Sequence, residues 1–260
     1  MTNEYWFKQT ESPLFPELHW SRPENKKHAG KLAILGGHAQ SFATSATAFN
    51  EAEKAGIGTT RVLLPDSLQK MVSKLFPEAE FTPSTPSGSF GHESLAAFLE
   101  VGQWADGILL AGDTGHNSET VSFLEYFAEA QTGRLILTGD SADALLRLGQ
   151  SRDDTLFVLT FNQLQKFVQM LKSTQAVTTS MGILAMVNLL HDLTLINKPH
   201  IITIYDEHIF VAVGGKVSTT KSSSMTANQQ SRVAAFASVW WLQNTQKPFE
   251  SISTGVFDSR

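Results

Sequence analysis

Five short apolar runs, each ended by a turn residue and followed by a stretch with helical spacing, constrain this chain more than any other feature. They are KLAIL (31–35), TTRVLLP (59–65), DGILLAG (106–112), RLILTG (134–139) and TLFVLT (155–160). A continuous apolar run of this length reads as a strand covered on both faces. The intervening segments carry apolar residues three and four apart. Ser41 to Ala55 is the clearest, with Phe42, Ala46, Phe49 and Ala52 on one face. Further helices are predicted over 67–76, 91–105, 118–131, 141–149, 162–172 and 180–196. Strand–helix–strand alternation implies a parallel sheet joined by right-handed crossovers, with helices on both faces.

The last third differs. HIITIYD (200–206), HIFVAV (208–213) and KVSTT (216–220) are β-branched, and Gly214-Gly215 makes a two-residue hairpin turn between the last two. A final helix is predicted from about Ser231 to Gln246, with Val233, Phe236, Ala237, Trp240 and Trp241 as its apolar face. Residues 1–30 lack any sustained period and read as an N-terminal arm. Residues 31–260 read as one three-layer α/β/α domain, with a mostly parallel sheet and a hairpin near the carboxyl end.

Composition narrows the function. With 260 residues, a net charge of −5 and no basic run beyond Lys26-Lys27, nothing attracts nucleic acid or an anionic membrane. The absence of cysteine excludes disulfides, thiolate metal sites and thiol nucleophiles. The first residues lack the pattern of a signal peptide and no apolar run reaches about 20 residues, so a cytoplasmic protein is expected.

In an open α/β sheet, ligands bind beyond the carboxyl ends of the strands, where glycine loops and helix N-termini converge. Three segments fit that position: Gly36-Gly37-His38, Gly112-Asp113-Thr114-Gly115, and the loop 221–231 before the final helix. Each is also ordinary turn chemistry. Asp140 and Asp143 read as helix-capping and first-turn acids, and Asp113 as a third carboxylate nearby. Lys221-Ser222-Ser223-Ser224 is either a phosphate contact or a solvated loop. His38, His92 and His116 show no metal-ligand spacing. Trp240-Trp241 reads as packing.

The stretch KKHAGKLAILGGHAQSFATSATAFNEAEKAGIGTTRVLLP resembles the opening of the carbohydrate-kinase-like domain of the ADP- or ATP-dependent NAD(P)H-hydrate dehydratases, which are ribokinase-like proteins. Gly36-Gly37 and Ala55-Gly56-Ile57-Gly58 match that opening. ILLAGDTGHNSET is similar to the family's strand, glycine loop and Glu-Thr, one residue shorter. LILTGDSADALLRL looks like its Asp-Ala-Asp segment, VLTFNQLQKF like its Val-Leu-Thr-Pro-His-Pro-Gly segment, and the carboxyl end like its last helix. The likeness spans about residues 15–257.

The resemblance implies a ribokinase-like fold, ADP or ATP as phosphoryl donor, and hydrated NADH or NADPH as substrate, and it admits Mg2+. The family phosphorylates the hydrate's hydroxyl and eliminates phosphate. The binding positions it implies are Gly36, Gly37, Thr44, Gly112, Gly115, Asn162, Ser231 and Arg232. Members tend to be homo-oligomers. The departures are specific. Family Met-Ala-Thr-Gly-Gly-Thr-Gly-Asp overlays Met225 to Arg232, so the proton acceptor becomes Arg232, which stays protonated at neutral pH. Three cradle glycines become Asn228, Gln229 and Ser231, where a glycine-type backbone would strain the Gln. The dehydratase His becomes Asn162, and the family's Lys-Gly falls at Ile204-Tyr205. Arg232 either reaches solvent or a carboxylate, or meets a bound anion. Two functions follow: a hydrate dehydratase with an altered site, or a catalytically silent relative that binds nucleotide or serves regulation or assembly. A sugar or vitamin kinase is disfavoured, because it would need the same lost loop.

Overall fold

In the computed structural model, residues 4–150, 152–172, 177–222 and 228–260 are described. Their elements run β1 (Trp6–Gln9), α1 (Glu17–Trp20), β2 (Lys31–Leu35), α2 (Ala43–Lys54), β3 (Thr59–Pro65), α3 (Gln69–Val72), β4 (Ala79–Thr82), α4 (Leu95–Trp104), β5 (Gly107–Leu110), α5 (Ser118–Ala130), β6 (Arg134–Thr138), α6 (Gly139–Leu145), β7 (Thr155–Leu159), α7 (Phe161–Met170), α8 (Ile183–Ile196), β8 (His200–Tyr205), β9 (His208–Val213), β10 (Lys216–Lys221), α9 (Gln229–Gln243) and α10 (Pro248–Asp258). The strands form one sheet in the order β1-β10-β9-β8-β7-β6-β5-β2-β3-β4. Among the described strands, only the β8–β9 and β9–β10 pairs are antiparallel.

The continuous apolar runs are explained by burial on both faces. In β2, Leu32 and Ile34 pack with α2, α9 and α10, while Ala33 and Leu35 face the layer that contains α4, α5, α7 and α8. Alternate residues therefore feed two separate cores. Among the described residues, no helix is long and apolar enough to cross a membrane.

Four differences from the sequence reading have physical causes. The helix expected over 67–76 is one 3-10 turn followed by the single α-turn α3, confined between Pro65 and Pro77. Residues 1–30, expected as an arm, contribute β1, which extends the sheet alongside β10. Gln9 anchors it by donating to Thr220 Oγ1 at 2.9 Å and to the Ser253 carbonyl at 3.0 Å. The helix expected over 231–246 starts at Gln229, and buries 12 of its 15 residues rather than one face, because α2 and α10 both pack on it. It is also not the last helix. The segment after it, rich in Ser, Thr and Phe, forms α10, started by Pro248 in the first turn. The Gly214-Gly215 turn is as expected. Both residues have positive φ (54° and 82°), which two-residue hairpins of this kind require.

At the amino end of the interior strand β8, His200 has its ring 5.1 Å from that of Trp241. Burial pushes its pKa down to about 4, against the opposing pull of Asp154 and Asp153. Among the described residues, its Nδ1 has no hydrogen-bond partner. The unfolded chain takes up a proton near pH 6.5 that the folded one refuses until about pH 4. Stability is therefore lost as pH falls through that window, by up to about 3 kcal/mol. Urea unfolding at pH 7 and pH 4.5 is expected to show this loss, and His200→Phe, which keeps the ring packing, is expected to reduce it.

Candidate functional site

Every parallel strand opens its carboxyl end at one edge, and the glycine loops meet there. A side chain on Gly36 would place its first carbon 2.6 Å from the Gly112 carbonyl oxygen and 2.7 Å from Ser45 Oγ, so only glycine lets the β2 and β5 loops touch. Gly37 N–H then donates to the Gly112 carbonyl at 3.2 Å. Gly36, Gly37 and Gly112 are thus explained by packing between loops.

The donors expected to face a ligand at this edge are taken by the chain's own carboxylates. Asp140, in the first turn of α6, accepts from Thr114 N–H and Thr114 Oγ1, both at 3.1 Å, and from Gly115 N–H at 2.8 Å. Asp113, held at φ 55°, accepts from Ser41 Oγ at 2.7 Å, Thr44 Oγ1 at 3.0 Å and Thr44 N–H at 3.3 Å. Its charge sits at the start of α2, where the helix dipole favours an anion. Thr44 and Gly115 are therefore brought to the same edge, each against an internal carboxylate.

Beside them lies a polar network that individual motifs did not reveal. Thr160 and Gln163 form a capping box at the start of α7. Gln163 Nε2 donates to the Gly139 carbonyl at 2.7 Å and to Asp143 Oδ2 at 2.8 Å. Lys166 pairs with the other oxygen of Asp143 at 2.6 Å. From α9, Gln230 Nε2 donates to the Val158 carbonyl at 2.5 Å and to Gln163 Oε1 at 3.2 Å. Gln230 thus bridges α9 to the end of β7. Asn162, the position equated with the dehydratase His, is exposed. The Thr-x-x-Gln signature at 160–163 was visible in the sequence as a capping box, and it would have drawn attention to Gln163 rather than Asn162.

The start of α9 departs furthest from a phosphoryl cradle. Asn228 and Gln229 adopt no positive φ, and Ser231 is buried in the first turn. Met225 to Ala227, and Ser223-Ser224 of the polar loop, lie outside the described residues. Arg232 is half-buried and turns away from the strand edge toward α2. Its Nε lies 3.6 Å from Glu51 Oε2 on α2, and its Nη2 donates to the Arg260 backbone oxygen at 2.7 Å. It lines a cavity of about 570 Å³ built only from α2 and the start of α9, with Thr47, Asn50, Glu51, Lys54 and Asn228. The eight candidate residues are thus not one constellation: Gly36, Gly37, Gly112 and Gly115 share the loops of β2 and β5 with Thr44 at the start of α2 beside them, and Asn162, Ser231 and Arg232 lie apart.

Mg2+ fits Asp140 poorly. Mg2+ is ordinarily held by one or two carboxylates with phosphate oxygens completing its octahedron, whereas Asp140 uses both oxygens on loop donors. Among the described residues, no group of three or more His, Asp or Glu can hold a metal ion.

The sheet order, the three layers and the hairpin make this a ribokinase-like fold. A ribokinase-like superfamily protein from Enterococcus faecalis aligns over 100% of this chain and 87% of its own, with a TM-score of 0.74 and 15% identity. The ADP/ATP-dependent NAD(P)H-hydrate dehydratase of Bacillus subtilis, crystallised with ATP and Mg2+, aligns over 96% of this chain and 87% of its own, at TM-score 0.63 and 10% identity. A phosphofructokinase-2 mutant from Escherichia coli aligns over 88% and 92%, at TM-score 0.59 and 9% identity. At these identities the likeness is one of fold. No family profile matches the sequence, and neither does any curated protein.

Removing the Asp140 carboxylate strands two loop amides beside Thr114, which is itself buried. Asp140→Ala is expected to cost about 1–3 kcal/mol of stability. Asp140→Asn, which keeps one acceptor, should cost less. Urea midpoints of the two variants check this, and equal midpoints for both variants and the parent would refute it.

Proposed function

We propose that this protein is a ribokinase-fold relative of the NAD(P)H-hydrate dehydratases that carries out neither phosphoryl transfer nor hydrate dehydration, and that it acts as a ligand-binding or regulatory protein on that fold. One observation carries the reading. Where the resemblance calls for a proton acceptor on a glycine cradle, α9 presents Arg232 turned to Glu51, while Gln230 spans the end of β7.

The chemistry of phosphoryl transfer supports this reading. Phosphoryl transfer depends on prepositioned donors around the moving group and on a base for the attacking hydroxyl. A guanidinium cannot take that proton. Loss of a base costs about 10²–10⁴ in rate, and loss of a single anion-hole donor about 10²–10³. The internal carboxylates at Thr44 and Gly115 add repulsion toward any further anion at the same donors.

The expected result with ADP or ATP and hydrated NADH, at protein concentrations stoichiometric with substrate, is no recovery of dihydronicotinamide absorbance above the uncatalysed rate. Recovery that scales with protein concentration would overturn the reading. Arg232→Asp is expected to remain silent, since it restores an acid without the cradle, and to lower stability by losing the contact with Glu51. Turnover by this single variant would show that the remaining loop is competent.

A further inference from the structure

A second cavity, of about 550 Å³, lies at the outer edge of the sheet, between β1, β10, the start of β9 and the end of α10. None of the eight candidate residues lines it. Its construction follows from strand periodicity. Trp6 and Lys8 are two apart on β1, Thr219 and Lys221 two apart on β10, and Lys8 stands in register with Thr219. All four therefore project from one face of the strand pair. Trp6 Nε1–H donates to Thr219 Oγ1 at 3.0 Å, which holds the indole in place. The Lys8 ammonium lies 4.1 Å from the ring centroid.

Charge distinguishes this cavity. The whole chain carries −5, yet Lys8, Lys221 and Arg260 converge here with His208, and Glu11 is the one carboxylate side chain in the lining. Among the described residues, none of the three cations has an ion-pair partner. Arg260 donates to the Thr10 carbonyl at 2.7 Å, which fixes its position. Unpaired cations gathered against their mutual repulsion create a positive potential focused by a concave, low-dielectric wall. Trp6 and Ile183 supply that wall, and the volume lies within the range of small-molecule sites.

We propose that this cavity binds a small anion carrying a flat unsaturated ring, with the ring against Trp6 and Ile183 and the anionic group between Lys8, Lys221 and Arg260. The proposal deepens the binding role stated above by naming a ligand class and a place, and it does not need the α9 edge to be silent.

Calorimetric titration with adenosine monophosphate, phenyl phosphate, adenosine and inorganic phosphate tests it. The two ring-bearing phosphates are expected to bind, each component alone about tenfold or more weaker, and the affinity to fall with added salt. Lys8→Glu combined with Lys221→Glu is expected to weaken binding about tenfold or more. Both positions are exposed, and an unchanged thermal melt without ligand verifies the fold. Asn162→Ala, at the other edge site, should leave binding unchanged. The proposal is overturned if neither ring-bearing phosphate binds, or if the double variant binds them as the parent does. Turnover in the hydrate assay would leave this outcome standing, so the two readings fail separately.

Discussion

A parallel sheet buried on both faces sets everything else in this molecule. Each strand must be apolar on both sides, each crossover must be a helix, and all strand ends of one polarity must meet at one edge. That edge then holds a high density of main-chain donors, which are costly to leave unpaired. In a ligand-binding member of such a fold, a bound anion can satisfy some of them. Here Asp113 accepts from the Thr44 N–H, and Asp140 from the Thr114 and Gly115 N–H groups.

The same economy governs the start of α9. A glycine cradle leaves amides free and space open above the strands. Gln230 instead spans to the Val158 carbonyl and joins Gln163, Gly139 and Asp143 in one network. Such a network raises the cost of opening the edge, because each member would lose a buried or half-buried partner. Arg232 faces the α2 layer, with its Nε 3.6 Å from Glu51 Oε2. Gln230, Gln163 and Asp143 thus link α9, α7 and α6 at this edge through side-chain hydrogen bonds.

The outer border of the sheet behaves differently. β1 is a four-residue edge strand, pinned by Gln9 and by the Trp6–Thr219 bond. An exposed sheet border is often protected by charge, and Lys8 and Lys221 supply it here. With Arg260 they line one concavity.

Much of the architecture was legible locally. The apolar runs at 31–35, 59–65, 134–139 and 155–160 became strands because continuous apolarity over so few residues has one stable solution in an alternating chain. Gly214-Gly215 marked its turn because backbone geometry there excludes most residues. The edge strand β1 and helix α10 were not legible, since Trp6–Gln9 and Pro248–Asp258 owe their form to partners at Val217–Thr220 and on α9, over 200 residues or a helix layer away.

For the site, sequence alone determined that no carboxylate stands at position 232 and no glycine among residues 225–231, because those are matters of residue identity. Where Arg232 points, which donors Asp113 and Asp140 occupy, and that Lys8, Lys221 and Arg260 share one concavity were decided only by the tertiary structure. The reason is geometric: hydrogen-bond partners and charge clusters form between segments far apart in the chain, and neither residue type nor spacing records which of the available partners a side chain will reach.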